Sequence, residues 1–544
     1  MLNIPELDNM VCRQLGPHDL ARCARVSKRW HTLAIPHLWH DLTWLKDIPR
    51  TRRQAFHLVV LEDYLAKQQR QRLQDEGRAI PTQPPSSHPL PTLSKYGHRI
   101  RLLPDPCRLQ MVLGSNPTGE NKLLESELLR HLFTRCSPDV QVKSFWLYTY
   151  SLSLERDNLM REMIDFTLPR LRHLHIQVPL PIPQTRASGL MDLLDRCGTL
   201  LWKLELNIGV IGDAGAKVKD APTEYEPNGW ASLKELTLYE WNDKANDKTF
   251  WSWLFKRCGQ VENLEVREFW GTAEFLAQAM LTHMPKLNQC TLGISNQPSQ
   301  MPEDAVATLL SGSCNGWKRV KLGSGAVFGG MAMNALEKHY STLEALDLSG
   351  CGQSSNDFVQ VLRSCTHLHS FANFGHYGRV DARAFIDLDP ETGSLRPWKC
   401  EATLKELKVR IAGVPRSYME HDSDPEKECP DPGFDLNGRL YDRLARLTHL
   451  ETLHLGDKDP DDDLLDLEMS LESGLHKLAG LRSLKELSVG SSSTKVNVKE
   501  VRWMVKHWPR LRVIKGLHED GDSWEAVEWL RKHHPQIEVL EEMY

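Results

Sequence analysis

One short phrase returns along most of this 544-residue chain: LRHLHI at 171, LWKLEL at 201, LKELTL at 233, VENLEV at 261, LNQCTL at 287, WKRVKL at 317, LEALDL at 343, LKELKV at 404, LETLHL at 450 and LKELSV at 484. VKSFWL at 142, LHSF at 368, LRVI at 511 and IEVL at 537 extend the series less regularly. Most intervals run from 26 to 34 residues. A period of that length marks a repeat architecture, because one unit of strand plus helix cannot bury its apolar side alone and must stack on its neighbours. In L-x-x-L-x-L the alternation of a strand sends the leucines into the core and the residues between them outward. Between the phrases, LFTRC, LLDRC, LFKRC and LLSGSC finish apolar-periodic helical stretches shortly before four of the strands.

This spelling resembles the leucine-rich repeat family. The resemblance implies an α/β fold over residues 98–544: a solenoid bent into a horseshoe, with a parallel sheet on the concave face and helices outside. Cys136, Cys197 and Cys258 lie 61 residues apart each time, two repeats, and a small apolar thiol suits the corner where helix hands over to strand. They are expected to be packing residues. The competing reading, reactive thiols, needs a base beside each, and no histidine recurs with them.

The opening is built differently. Leu7, Val11 and Leu15 share one helical face, and Gly16-Pro17 stops that helix. Asp19 offers an N-cap for a second short helix carrying Leu20, Cys23 and Ala24 on one side. Ser27 offers a cap for a third with Trp30, Leu33 and Ala34 inward, ended by Pro36. Three helices in so short a stretch carry more apolar surface than they can bury against one another, so part of that face needs a partner.

Read as spelling, IPELDNMVCRQLGPHDLARCARVSKRWHTLAIPHLW resembles the F-box, the adaptor-binding module of F-box proteins. Glu6, Leu7, Val11, Leu15, Asp19, Leu20, Cys23, Val26, Ser27, Trp30, Leu33, Leu38 and Trp39 fall where that pattern places an acidic, aliphatic, small or aromatic residue. A gapless alignment puts the family's early Leu-Pro on Asn3-Ile4, so Pro5 arrives one residue late. The resemblance implies binding to a Skp-type adaptor, and through it a cullin, in a cullin-RING ubiquitin ligase. It implies adaptor contacts from Ile4, Pro5, Leu7, Val11 and Leu15, then from Leu20, Cys23, Val26, Trp30 and Leu33. The competing reading is that these helices only cap the repeats.

The expected division is therefore 1–45 for the F-box, 46–97 for a connecting piece and 98–544 for the repeats. Within the connection, residues 50–76 have the composition of a helix, and IPTQPPSSHPLPT reads as a semi-extended or disordered linker. Its prolines are also a candidate for peptide recognition. Two interruptions break the rhythm, 410–440 and the stretch DKDPDDDLLDLE from 457, each readable as a contact arm or as solvated ornament.

Chemistry is harder to find. Asp457, Asp459, Asp461 and Glu468 fit a calcium-loop template, but Asp462 replaces its glycine, Pro460 intrudes and a strand precedes it. GSGAVFGG at 323 misses the dinucleotide spacing by one residue and reads more simply as a tight repeat corner. No nucleophile elbow, zinc-protease or P-loop spelling occurs, so neither catalysis nor a cofactor or metal is expected. With 67 basic against 72 acidic residues and a net charge of −5, nothing points to nucleic acid. The amino terminus lacks a signal-peptide pattern, no stretch offers eighteen uncharged apolar residues, and the 12 cysteines include no CxxC. Neither a membrane partner nor secretion is expected; reduced thiols point to cytosol or nucleus.

Positions between the leucines are where a partner is read. Aromatic groups gather in the amino-terminal half at Trp146, Tyr148, Tyr239 and Trp241. Charged and imidazole groups follow at His175, Glu235, Arg267, Arg319, Lys321 and Arg410. Mixed signs favour a protein surface or peptide over a polyanion. These ten are the expected substrate contacts, although several aromatics have the alternative of folding over strand ends and packing internally. The expected function is a ligase substrate-recognition subunit, with a non-ligase interaction scaffold as the alternative.

Overall fold

In the computed structural model the described residues are 11–12, 14–40, 42, 50–76, 99–103, 122–136, 139–148, 165–178, 190–191, 193–197, 200–208, 230–241, 248–293, 301–351, 354–373, 379–412, 435–455, 467–489, 496–517 and 523–540. The expected linker, the calcium-like stretch up to Asp466 and the interruption from 413 to 434 lie outside them. Packing divides the chain into two compact units, residues 1–237 with 245–250, and residues 238–244 with 251–544.

In the first unit, helix α1 (Pro17–Val26) begins two residues before the expected Asp19 cap, with Gly16 at the N-cap. Proline suits the first helical position because its fixed φ matches the turn and the N–H it lacks has no partner there. Helix α2 (Lys28–His40) starts as expected: the Trp30 amide donates to Ser27 Oγ at 3.2 Å. It does not stop at Pro36. The helix runs on because Leu38 and Trp39 must reach their packing positions, Leu38 against the bundle core and Trp39 at 9% exposure, which outweighs one missing hydrogen bond. That core is Cys12, Leu20 and Ala34, flanked by Leu15, Cys23, Ala24, Trp30, Leu33 and Leu38.

The expected helix over 50–76 is α3 (Arg50–Asp75). After β1 (Leu102–Leu103) comes α4 (Lys122–Arg135), and the two helices are joined by a buried polar contact: His131 Nε2 lies 2.9 Å from Asp63 Oδ2, with Arg135 Nε at 3.3 Å from the same oxygen. β1 pairs in parallel with β2 (Gln141–Val142), and the Arg101 amide donates to His40 O at 2.9 Å, which ties the end of α2 to this small sheet. Then β3 (Phe145–Tyr148), β4 (His173–Val178) and β5 (Lys203–Ile208) run parallel, with Trp146 opposite His175 and His175 opposite Glu205.

Strand β6 (Glu235–Trp241) carries the chain into the second unit, followed by α5 (Lys248–Phe255), β7 (Asn263–Phe269), α6 (Ala273–His283), β8 (Gln289–Leu292), α7 (Glu303–Leu310), β9 (Arg319–Leu322) and α8 (Gly330–Glu337). Next come β10 (Ala345–Asp347), α9 (Ser355–Ser364), β11 (Ser370–Asn373), β12 (Arg379–Asp381), α10 (Ala382–Ile386), β13 (Glu406–Ala412), α11 (Leu436–Ala445) and β14 (Thr452–His454). The unit closes with β15 (Glu486–Ser488), α12 (Val498–His507), β16 (Val513–Lys515), α13 (Trp524–His533) and β17 (Glu538–Leu540). The strands from β7 onward form one long parallel sheet in chain order, except that β12 pairs beside β13.

The repeated phrase explains this sheet. Leu264, Cys290, Val320, Leu346, Phe371, Leu407, Leu453, Leu487 and Ile514 occupy the same place in successive phrases, lie opposite one another across the strands and are at most 2% exposed. A one-residue slip would turn every one of them to solvent, so burial fixes the register. The backbone adds a second lock. The carbonyl before each strand accepts two amides from the next repeat: Glu262 O takes Asn288 and Gln289 N–H, Asn288 O takes Lys318 and Arg319, and Lys318 O takes Glu344 and Ala345, at 2.7–3.2 Å. The same shared carbonyl recurs at Glu344, His369, Lys405, Glu451 and Lys485.

Burial pushes the Cys136 and Cys197 thiols up to about 12 and the Cys258 thiol further still, with Cys258 Sγ 3.3 Å from Leu254 O inside its own helical turn. Cys197 and Cys258 are buried and Cys136 is half-buried. The GSGAVFGG stretch is a corner: Gly323 N–H donates to Leu292 O at 2.7 Å and Gly325 N–H to Gly293 O at 3.3 Å. Gly293 has φ +68° and a Cβ there would stand 3.3 Å from the Ala326 amide, so both conformation and space favour glycine.

Residues 379–404 form an insertion between β11 and β13 whose key is Arg443. Its guanidinium is fully buried, donates to Ile386 O at 2.6 and 3.1 Å, to Asp387 O at 3.2 Å and to Glu401 Oε1 at 3.0 Å, and lies 4.5 Å over the Trp398 ring. Burial lowers its pKa to about 10, against the opposing pull of Glu401 and Asp387.

Candidate functional site

Two regions have the surface for partners: the amino-terminal helices and the outward face of the sheet. On the helices, Leu20 is buried, whereas Leu15, Cys23, Trp30 and Leu33 are half-buried around the core. Val26 is 74% exposed and Val11 48%. Two aliphatic side chains of this segment thus stand outside its small core. Ile4, Pro5 and Leu7 lie outside the described residues.

The sheet face in the first unit centres on Glu205, which is nearly buried. Its Oε2 is 2.8 Å from His175 Nδ1, and its Oε1 is 3.1 Å from His173 Nε2 and 2.7 Å from Lys203 Nζ. Lys203 also stands 3.8 Å from Glu235. His175 was expected to be readable; at 3% exposure it is committed to Glu205 instead. Of Trp146 and Tyr148 the structure describes only the strand positions, opposite His175 and Gln177.

In the second unit Tyr239 and Arg267 come together, the guanidinium lying 4.1 Å over the tyrosine ring and its Nε donating to Glu265 Oε1 at 2.8 Å. Trp241 departs from expectation. It is fully buried, 4.9 Å from the Trp251 ring, 5.7 Å from Phe255 and 6.0 Å from Phe275. The outward parity of β6 ends at its last turns, where a large indole gains more by folding onto α5 than by facing water. Beside it, burial and the neighbouring Glu268 push the Glu240 carboxyl up.

Further along, outward residues make two registered rows. Asn263, Gln289, Arg319, Ala345, Ser370, Glu406, Thr452 and Glu486 form one; Glu265, Thr291, Lys321, Asp347, Ala372, Lys408, His454 and Ser488 form the other. Arg319 and Lys321 are exposed, as expected. Lys321 Nζ lies 3.0 Å from Asp347 and Lys408 Nζ 2.6 Å from Glu406. His454 Nε2 is 2.9 Å from Glu486; burial lowers the imidazole pKa despite that carboxylate. Arg410 is a third correction, after His175 and Trp241: it is 1% exposed, because β12 of the insertion pairs along this end of β13 and covers it. The insertion itself left no periodic signal; Asp387 in the left-handed region, held by Arg363 and by Trp398 Nε1 at 3.2 Å, is a tertiary arrangement. Among the described residues no cluster of His, Cys, Asp or Glu fits a metal ion, and no helix is long and apolar enough to cross a membrane.

Comparison with known proteins adds two likenesses. The crystal structure of the Rad7 and Elc1 complex in yeast is similar at 15% identity with a TM-score of 0.32, over 58% of this chain and 76% of that one. No curated protein sequence matches the chain. The F-box-like family model matches residues 6–43, the span that holds α1, α2 and the two exposed valines. Residues 6–43 are thus an F-box-like domain.

Proposed function

We propose that the protein is a substrate-recognition subunit of a cullin-RING ubiquitin ligase. The F-box-like helices dock a Skp-type adaptor, the adaptor brings a cullin, and the sheet, read as a leucine-rich-repeat solenoid, holds a protein for modification. Catalysis belongs to partner subunits, in the cytosol or nucleus. The observation that carries this reading is the F-box-like match over 6–43 coinciding with a bundle that leaves Val26 and Val11 in solvent. Apolar side chains in that position are a binding surface awaiting its complement. The long sheet supports the second half, because its outward rows are set by register and are free to vary without disturbing the leucines beneath.

Co-purification from cells tests it. Adaptor and cullin recovered together on the full chain, and both lost when residues 1–45 are deleted, are the expected result. Adaptor recovered without cullin favours an interaction scaffold, and recovery of neither removes the reading.

A further inference from the structure

On the outward face of β7 to β11 lies a half-open recess of about 260 Å³. One wall is the registered series Asn263, Gln289 and Arg319; beyond Arg319 the row drops to Ala345 and Ser370, which leaves the space. Elsewhere along the rows the cations already have carboxylates: Lys321 has Asp347, Lys408 has Glu406, Lys515 has Glu486 and Arg267 has Glu265. Arg319 differs. Among the described residues its side chain makes no ion pair or hydrogen bond, and neither do those of Asn263 and Gln289.

Resting on the reading of this face as the substrate platform, we infer that the recess takes the carboxylate side chain of an Asp or Glu on the recruited protein, with Arg319 as its principal contact. Gln289 and Arg319 are direct partners on adjacent strands, which lie about 4.8 Å apart, so the amide and the guanidinium are both within reach of one acceptor group in the recess. Guanidinium is suited to this because its planar donors meet both oxygens of a carboxylate. The charge of the recess selects among anions. Arg319 and Lys321 are offset by Asp347, 3.0 Å from Lys321 Nζ, which leaves one net positive charge. That matches a carboxylate, whereas a phosphoryl group brings about −1.5 to −2 and would face Asp347. The volume points the same way, since small-molecule pockets run from about 300 Å³ upward and enclose their ligand.

The test uses the full chain bound to its adaptor and peptides of random sequence with a fixed central Glu, phosphoserine, Lys or Ala. Glu peptides are expected to bind about tenfold more tightly than Ala peptides. R319A is expected to erase that preference with an unchanged thermal midpoint, R319K to keep part of it, and D347N to improve phosphoserine binding. The inference is overturned if Glu binds no better than Ala, if R319A keeps the preference, if phosphoserine or Lys is preferred by the unmodified protein, or if no peptide binds. Adaptor binding, measured on the same preparation, reports separately on the proposed function.

Discussion

Val26 gives the sharpest test of the amino-terminal surface, because removing it should harm binding and nothing else. It is the last residue of α1, 74% exposed and absent from the Cys12–Leu20–Ala34 core. Burying a valine fully contributes about 1.5–3 kcal/mol, so covering three quarters of one contributes about 1–2 kcal/mol, roughly five- to thirty-fold in Kd. V26A should weaken adaptor binding by that amount. V26D also places an unpaired charge in a desolvated contact and should weaken it on the order of a hundredfold. Folding should hardly change, since exposed substitutions stay within about 0.5 kcal/mol and alanine is the better helix former. Calorimetric titration of the purified chain with a Skp-type adaptor, beside thermal unfolding of each variant, makes the measurement. If V26D binds within about twofold of the parent, the exposed valine is not part of the contact and the surface argument fails.

Four further outcomes are expected. R443M leaves Ile386, Asp387 and Glu401 without their buried donor and should cost about 3–5 kcal/mol in urea unfolding, with little rescue from R443K; a loss under about 1 kcal/mol refutes the keystone role. Burial holds the His339 and His454 pKa values below the usual imidazole range, so the unfolded chain takes up protons first as pH falls below about 6.5, and the urea midpoint should drop from there toward the lower folded values. H339Q, which keeps a donor toward Leu310 O, should flatten that slope; a midpoint that rises with acid contradicts the assignment. Cys258 should resist thiol reagents in the folded chain at neutral pH and react only on unfolding, as followed by mass spectrometry. W241A should destabilise by about 3–5 kcal/mol whereas Y239A leaves the melting point in place and lowers substrate capture, and the reverse pattern would restore Trp241 to the surface.

The sequence exposed whatever local periodicity decides. Alternation within L-x-x-L-x-L foretold the buried apolar positions of the strands that carry the phrase, from Leu174 in β4 to Ile514 in β16, and the composition of 50–76 foretold α3. The recurring cysteines were legible because a buried corner tolerates few side chains. Contacts between distant segments were not. Pro36 stops a helix by local rules, yet α2 continues because Leu38 and Trp39 have places to fill. Arg410 and His175 keep outward parity in their strands, but β12 covers the first and Glu205 engages the second. Trp241 fails differently, since strand parity lapses where β6 hands over toward α5. The unengaged state of Arg319 likewise depends on which residues stand opposite it in the neighbouring phrases, Gln289 before and Ala345 after, and no single phrase shows that.

The carbonyl shared by two amides has an evolutionary corollary. Because main-chain atoms make that join, it survives whatever side chains occupy the outward rows. Mutation is therefore free to rewrite the exposed rows residue by residue while the frame keeps its spacing, and a lineage of such chains can change the chemistry of that face without first reinventing how to fold.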